Sequence, residues 1–182
     1  MVLLGCKPSG RHTEQHDVFF GIGETIKDLV PQIVRFWPEA KGKLHVDGWR
    51  EVTLVDGFQV EVQDAATSPA IAFMSHRLFF LNLGGYKEQE LEEFHYKMLA
   101  VATDKSLAIQ RAKQTAFYKH TGFKGAPSHI DDKYGVDVDD VYAIEDILPA
   151  ELKQQYRIVL TPSPDDKAAD ATQLGYYPLN SL

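Results

Sequence analysis

Hydrophobic and polar positions alternate in short runs along most of this chain, and only a few segments follow the longer period of a helix. Residues 1–6 form an apolar run that predicts a short buried strand, and residues 14–22 predict a second strand after a polar loop. The apolar positions that follow recur at the three- and four-residue spacing of one helix face. They are Ile26, Leu29, Val30, Ile33, Val34 and Trp37.

The beginning of this helix carries two local signals. Thr25 followed by Asp28 resembles a capping box, in which two residues bond each other's backbone. Pro31 lies inside the helical pattern and removes one backbone donor, so we expect a kink or an irregular first turn.

After the helix, the pattern returns to strands. Residues 43–46 predict a short strand, and residues 49–55 and 58–63 predict a hairpin around Asp56-Gly57, a strong two-residue turn signal. The first part of the chain is therefore expected to have the order β-β-α-β-β-β.

Short motifs of this first unit recur further along the chain. The spacing is constant at first and becomes longer around residues 121–127, where one insertion explains the change. Two diverged copies of one unit, residues 2–62 and 78–146, are therefore predicted. The matching segments are Leu4-Gly5 with Leu83-Gly84, Glu14-Gln15-His16 with Glu93-Phe94-His95, and His45-Val46-Asp47 with His129-Ile130-Asp131.

The second copy is expected to differ in its hairpin. Its helix is predicted from about Asp104 to His120, but Asp140-Val141 replaces the turn of the first copy and lacks the glycine. We therefore expect this connection to be remodelled. A short helix around residues 148–152 and a strand over 156–160 follow, and the apolar segment 175–179 is expected to dock on the core or on a partner.

Helices that alternate with hairpins predict an α+β fold. We expect internally duplicated β-β-α-β-β-β units with pseudo-twofold symmetry and a mixed sheet or sheets packed by two main helices. Residues 1–162 are expected to form a single domain around a shared core, because each copy alone is small for independent folding. Residues 163–182 are expected to form a partly mobile C-terminal tail.

Charge and composition narrow the range of partners. The net charge of −7 and the pI near 5.4 argue against nucleic acid or an anionic membrane as a partner. No apolar run reaches the length of a membrane span or a signal peptide, and the single cysteine, Cys6, excludes an internal disulfide. We therefore expect a cytoplasmic protein and leave its assembly into a homo-oligomer open.

The first copy contains polar residues that could form a site. Since side chains two apart on a strand share one face, Glu14 is expected beside His16, and His45 beside Asp47. A carboxylate near an imidazole orients its tautomer, as a general base or a metal-bound histidine requires. Two histidines and two carboxylates are also donors that Zn, Mn or Fe(II) accept. The second-copy equivalents are predicted to be Glu93, His95, His129 and Asp131.

Two structural explanations compete with a functional one. Paired histidines and carboxylates also satisfy buried polar groups without any reaction, and a shared fold would keep them in both copies. The loop at residues 7–12 carries Lys7 and Arg11 and could present backbone N–H groups to an anion, or it could be a solvated turn. The acidic stretch around Asp139 is expected to be solvated, and Cys6 is expected to be a core residue.

Three functions follow from these observations. The first is the binding of a small polar or anionic ligand, the second is a metal-dependent enzyme that uses Glu14, His16, His45 and Asp47, and the third is a scaffold or interaction protein with residues 175–182 as its contact. No metal ion, cofactor or catalytic residue is assigned from the sequence, and enzymatic activity stays open. The residues predicted to bind the ligand are Lys7, Arg11, Glu14, His16, His45 and Asp47.

Four segments of the first copy form a recognisable pattern: Leu4-Gly5, Glu14-Gln15-His16-Asp17, Leu44-His45-Val46-Asp47 and Val55-Asp56-Gly57-Phe58. This pattern resembles a bacterial family defined only as a domain of unknown function. The resemblance spans most of residues 2–62 and, through the repeat, residues 78–146. The family pattern has Gly-Gly where this chain has Gly5-Cys6, and the resemblance implies no activity.

Overall fold

A computed structural model of the chain describes residues 1–67, 75–86, 89–114, 136–163 and 169–182. In these ranges strands outnumber helices, and the α+β class predicted from the sequence is confirmed. The strands are β1 (Val2–Cys6), β2 (Gln15–Phe19), β3 (His45–Trp49), β4 (Leu54–Val55), β5 (Phe58–Asp64), β6 (Arg77–Tyr86), β7 (Glu93–Ala102), β8 (Val136–Ala143), β9 (Tyr156–Pro162) and β10 (Gln173–Pro178). The helices are α1 (Val30–Phe36), α2 (Lys105–Ala112), α3 (Ile144–Ile147) and α4 (Ala150–Gln155).

These strands form antiparallel sheets, whereas a mixed sheet was expected. The first sheet has the order β10-β3-β1-β2, the second sheet β4-β5-β9 and the third sheet β7-β6-β8. The expectation of a mixed sheet was wrong because the connection through α1 joins β2 to β3, which run parallel to each other but lie on opposite sides of β1. Each of them pairs antiparallel with β1, so the helical crossover requires no parallel neighbours.

The local signals around α1 are realised in the structure. The Asp28 carboxylate accepts a hydrogen bond of 2.8 Å from the Thr25 N–H. A 3₁₀ turn, Ile26–Leu29, precedes α1, and Pro31 lies in the first turn of α1, which confirms the predicted irregular start. The apolar face is narrower than predicted, since Val34 is 48% exposed.

The predicted second copy follows its local signals in part. Asp104 caps α2 by accepting a hydrogen bond of 2.9 Å from the Leu107 N–H. The prediction that this helix runs continuously to His120 was wrong, because α2 ends at Ala112 and a turn follows at residues 113–114. The β8 strand continues through Asp140 and Val141 without a turn, as the loss of the glycine led us to expect.

A central core is shared by all three sheets. It contains residues from β2, β5, β6, β7, α3 and β9, while α1 and α2 cover the opposite faces of the first and third sheets. Val18 of β2 and Leu99 of β7 point into this central core. Because strand side chains alternate, His16 and His95 lie on the same faces as these core residues, nearer one end of their strands.

The first and third sheets have the same local order of pairing. The strands β2 and β3 flank β1 as β7 and β8 flank β6, and a register irregularity interrupts the β1–β3 and the β6–β8 pairing. The facing residues are Gly5 with His16 and His45, Leu4 with Val46, Gly84 with His95 and Asp137, and Leu83 with Val138.

The Asp56-Gly57 turn contacts β7 and α2 of the third sheet region. Asp56 and Gly57 have φ angles of 50° and 77°, which match the two-residue hairpin turn predicted from the sequence. The Asp56 carboxylate accepts hydrogen bonds from the Val101 N–H at 2.9 Å and from Arg111 Nη1 at 3.2 Å. A turn that usually faces solvent therefore closes the edge of the third sheet.

We expect Asp56→Ala to lower the free energy of unfolding by about 1–3 kcal/mol, because a partly buried N–H of Val101 loses its acceptor. The ion pair with Arg111 adds little, since both side chains are more than a third exposed. Urea denaturation measures the change. Asp56→Asn is the control: it keeps an acceptor and tolerates the positive φ, so it should lose less. Equal stability of the alanine variant and the wild type would contradict this role.

Within the described ranges, no helix combines the length and the apolar character needed to cross a lipid bilayer.

Candidate functional site

The polar residues predicted from the first copy converge at one end of the first sheet. Gly5 of β1 lies between β2 and β3, and a Cβ atom at this position would be 2.3 Å from His45 Nε2 and 2.5 Å from Asp47 Oδ2. The absence of a side chain at Gly5 therefore leaves the space in which these groups meet. We call the four residues Glu14, His16, His45 and Asp47 the first cluster.

Nitrogen and oxygen atoms of the first cluster approach one another closely. His45 Nε2 lies 3.0 Å from Glu14 Oε1 and 3.2 Å from Asp47 Oδ1. His16 Nε2 lies 3.3 Å from Asp47 Oδ2 and 3.9 Å from Glu14 Oε2. Both imidazoles thus face both carboxylates.

These short distances do not produce hydrogen bonds for two of the atoms. Across the described parts of the chain, His45 Nε2 and Asp47 Oδ2 are buried and have no hydrogen-bond partner. His45 is only 5% exposed, so bulk water has little access to its ring and does not replace the missing hydrogen bond. These atoms therefore lie 3.0–3.3 Å from an imidazole or carboxylate neighbour without the alignment that a hydrogen bond requires.

Among the described residues, the set of three whose ligand atoms all lie within 4.8 Å of one another is Glu93, His95 and Asp139, and the first cluster does not meet this spacing. Its single contacts nevertheless resemble the separation between neighbouring ligands of a metal ion. Around a tetrahedral zinc ion with bonds of about 2.0–2.1 Å, neighbouring ligand atoms lie about 3.4 Å apart. The contacts of 3.0, 3.2 and 3.3 Å in the first cluster are close to that value. Two carboxylates also supply the negative charge that balances a divalent cation when the histidines are neutral.

Burial differs across the first cluster. The side chain of His45 is 6% exposed and that of Asp47 is 22% exposed, whereas those of His16 and Glu14 are 44% and 40% exposed. One side of the cluster is therefore enclosed and the other is open to solvent. A small ligand would be able to reach an ion at the centre of the cluster from this open side.

A second cluster lies at the corresponding end of the third sheet. His95 Nε2 lies 3.3 Å from Asp139 Oδ2 and 3.9 Å from Glu93 Oε2, the same two distances that His16 makes. One ligand atom from each of these three residues lies within 4.8 Å of the other two. A Cβ atom on Gly84 would be 2.3 Å from Asp139 Oδ2. The absence of a side chain at Gly84 therefore leaves space for Asp139, as the absence at Gly5 does for His45 and Asp47. We call Glu93, His95 and Asp139 the second cluster.

The second cluster differs from the first in burial and in its partners. All three of its residues are exposed, and it contains one described histidine instead of two. Desolvation, followed by the charge and hydrogen bond of Glu93, raises the pKa of the Tyr86 phenol.

The structure adds Asp139 to the second cluster, a residue that the sequence interpretation did not assign to a site. The predicted equivalents His129 and Asp131 lie outside the described residues. Asp139 is exposed, as expected, but it also lies 3.3 Å from His95 Nε2. The signal was present in the segment Asp137-Val138-Asp139, which matches His45-Val46-Asp47 in ladder position, although His45 corresponds to an aspartate.

The remaining predicted residues are placed as follows. Lys7 and Arg11 are exposed in the connection from β1 to β2, which leaves the sheet at the end where the first cluster lies. Cys6 is fully buried under α1, and burial raises the pKa of its thiol. The prediction that Cys6 is a core residue is confirmed.

Tyr176 of the C-terminal strand joins the first cluster from far along the chain. Its ring stacks on the imidazole of His45 with a centroid distance of 4.3 Å and an interplanar angle of 36°. The apolar segment 175–179 was expected to dock, but the sequence did not indicate on which residues.

A separate cavity of about 410 Å³ lies beside the central core. Its lining includes Phe20, Trp49, Arg50 and Leu78, and it includes no residue of either cluster. Size alone would favour this cavity as a ligand site. The buried Nε2 atom of His45, which has no hydrogen-bond partner in the described structure, favours the first cluster instead.

Comparisons with known proteins agree with this description without assigning an activity. A family model described as Domain of Unknown Function (DUF1543) matches residues 11–62, a range that contains the whole first cluster. The crystal structure of a protein Il1583 from Idiomarina loihiensis is similar, with a TM-score of 0.64, 20% sequence identity and coverage of 98% of this chain and 94% of that chain. At this identity the likeness shows the fold alone. No curated protein matches the chain.

Proposed function

We propose that the first cluster binds one divalent transition-metal ion, and that this ion forms the binding site for a small anionic ligand. The observation that carries the proposal is the buried Nε2 atom of His45, which lies between Glu14 and Asp47 and, in the described structure, has no hydrogen-bond partner. A bound cation supplies the partner that this nitrogen lacks.

Zinc is the ion we expect to bind most tightly among manganese, iron and zinc. Affinities of nitrogen and oxygen sites for divalent ions rise along this series, and imidazole with carboxylate suits zinc coordination. Magnesium should bind poorly, because it prefers oxygen ligands and retains its water.

The open side of the first cluster supports a role for an exogenous ligand. Glu14 and His16 are exposed, and the basic loop with Lys7 and Arg11 leaves the sheet at the same end. A small anion would be attracted by the bound ion and by these cations. A metal-dependent reaction would use the same four residues, with the ion acting as a Lewis acid.

The matching pairing order of the first and third sheets supports an internal duplication. In this interpretation Glu93, His95 and Asp139 correspond to Glu14, His16 and Asp47. Asp137 has the ladder position of His45, and in the described residues the second cluster contains one imidazole, so it is expected to bind zinc more weakly.

Titration of metal-stripped protein with zinc tests the proposal. We expect one tight site per chain by calorimetry and elemental analysis. At a free zinc concentration 100 times the dissociation constant, binding should stabilise the fold by about 2.7 kcal/mol. For a chain of this size the melting temperature should rise by roughly 5–10 °C.

Magnesium at the same concentration is the control and should leave the melting temperature unchanged. If zinc neither binds with unit stoichiometry nor raises the melting temperature, the first cluster is a structural network of polar side chains, and the proposed function is wrong.

A further inference from the structure

The C-terminal strand β10 lies beside β3 and crosses the edge of the first cluster. It pairs antiparallel with β3, with Tyr177 opposite Val46 and Pro178 opposite His45. The pairing is irregular between Leu174 and Tyr177, which lie on either side of Tyr176. A residue more than a hundred positions away in sequence is thus brought to the strand that carries two ligands of the proposed ion.

The faces of this strand explain why Tyr176, and not Tyr177, meets the cluster. Tyr177 packs on the α1 side, where its ring lies 5.0 Å from that of Trp49. Successive side chains point to opposite faces of a sheet. Tyr176 therefore lies on the face of His45, and its ring stacks there at 4.3 Å.

Two further contacts hold the C-terminal segment, one at the start of β4 and one on β3. The Asp170 carboxylate accepts hydrogen bonds from the N–H groups of Thr53 at 2.8 Å and Leu54 at 3.1 Å. A Cβ atom on Gly48 would be 2.8 Å from the Gln173 carbonyl oxygen, so the glycine permits close approach of the two strands. The position of Tyr176 is therefore fixed by its own backbone pairing and by Asp170.

We propose that Tyr176 is a positioning residue for the metal centre, and that docking of β10 is thermodynamically coupled to ion binding. This proposal rests on the proposed function. The tyrosine ring covers one face of the His45 imidazole and restricts its rotation, which keeps Nε2 directed toward Glu14 and Asp47. A ligand that is held in place before the ion arrives loses less conformational freedom on binding.

The exposure of Tyr176 separates this role from a general role in folding. Its side chain contributes little to the core because the residue is 69% exposed. Removing its ring should therefore change the stability of the metal-free protein only slightly, while the ion loses a well-oriented ligand.

Zinc affinities of Tyr176→Ala and Tyr176→Phe test the proposal. We expect the alanine variant to bind zinc about 10- to 100-fold more weakly, the range seen when a residue that orients a metal ligand is lost. The phenylalanine variant should retain the affinity, because the ring and not the hydroxyl makes the contact. Leu174→Ala is the matched control: it shortens another exposed apolar side chain of β10, and its affinity should be unchanged.

Hydrogen exchange of the β10 amides provides a second measurement. Since coupling is reciprocal, zinc should slow exchange over residues 173–178 in the wild type and do so less in Tyr176→Ala. If the wild type fails to bind zinc, the proposed function itself is wrong. If the wild type binds zinc but Tyr176→Ala has the same affinity, or zinc leaves exchange in β10 unchanged, the positioning role alone is overturned.

Discussion

Replacing His45 with alanine should weaken zinc binding to the first cluster by on the order of 100-fold or more. Structural zinc sites with four ligands gain about 10–16 kcal/mol, so one ligand accounts for roughly 3 kcal/mol. A tenfold change in affinity corresponds to about 1.4 kcal/mol. His45 is also the buried ligand, so solvent does not readily replace it. Competition with a chromophoric chelator measures the affinity.

Two further variants keep this prediction independent of folding. His16→Ala removes a ligand whose side chain is 44% exposed, so the fold should survive while zinc affinity falls. His95→Ala removes the corresponding histidine of the second cluster and should leave the tight site intact. If His95→Ala abolishes the tight site and His45→Ala does not, the assignment of the ion to the first cluster is wrong.

Local signals in the sequence were enough to predict the two pairs of the first cluster, but not the strand order that brings the pairs together. Side chains two apart share a strand face, which pairs Glu14 with His16 and His45 with Asp47. The convergence of both pairs then requires only that β2 and β3 flank β1, as they do at Gly5. The Asp56-Gly57 turn and the start of α1 were also predicted, because neighbouring residues determine both.

Features that depend on long-range pairing could not be predicted in this way. The repeat was aligned by residue identity, which selected His129 and Asp131, whereas the ladder of β6 and β8 brings Asp139 to His95. The register irregularity in β8 moves the side chains by one position, and no local pattern marks it. The same reasoning applies to Tyr176, since the pairing of β10 with β3 joins distant segments.

The difference between the two clusters follows from one ladder position. His45 adds a buried second imidazole to the first cluster, while the described second cluster is exposed and has two carboxylates and one imidazole. Imidazole favours zinc over magnesium, and exposed carboxylates bind cations weakly in water. A duplicated fold would in this way retain one tight site beside Gly5 and one weak site beside Gly84.

Gly5→Ala should abolish tight zinc binding with at most a moderate loss of stability. The added methyl group would lie 2.3 Å from His45 Nε2 and 2.5 Å from Asp47 Oδ2, so both ligands must move away. Gly5 does not have a positive φ angle, so alanine introduces no backbone strain. The atoms that clash are the ends of side chains, and overpacking of this kind costs about 1–3 kcal/mol. We expect a loss of affinity at least as large as that of His45→Ala.

Gly84→Ala is the matched control for this substitution. Its methyl group would lie 2.3 Å from Asp139 Oδ2 and would disrupt the second cluster in the same way, with a similar cost in stability. Chelator competition and thermal melting of both variants therefore separate loss of the site from loss of the fold. The added methyl group and the present positions of His45 and Asp47 cannot occupy the same space. Tight zinc binding by Gly5→Ala would therefore show that the ion does not require these two side chains at their present positions.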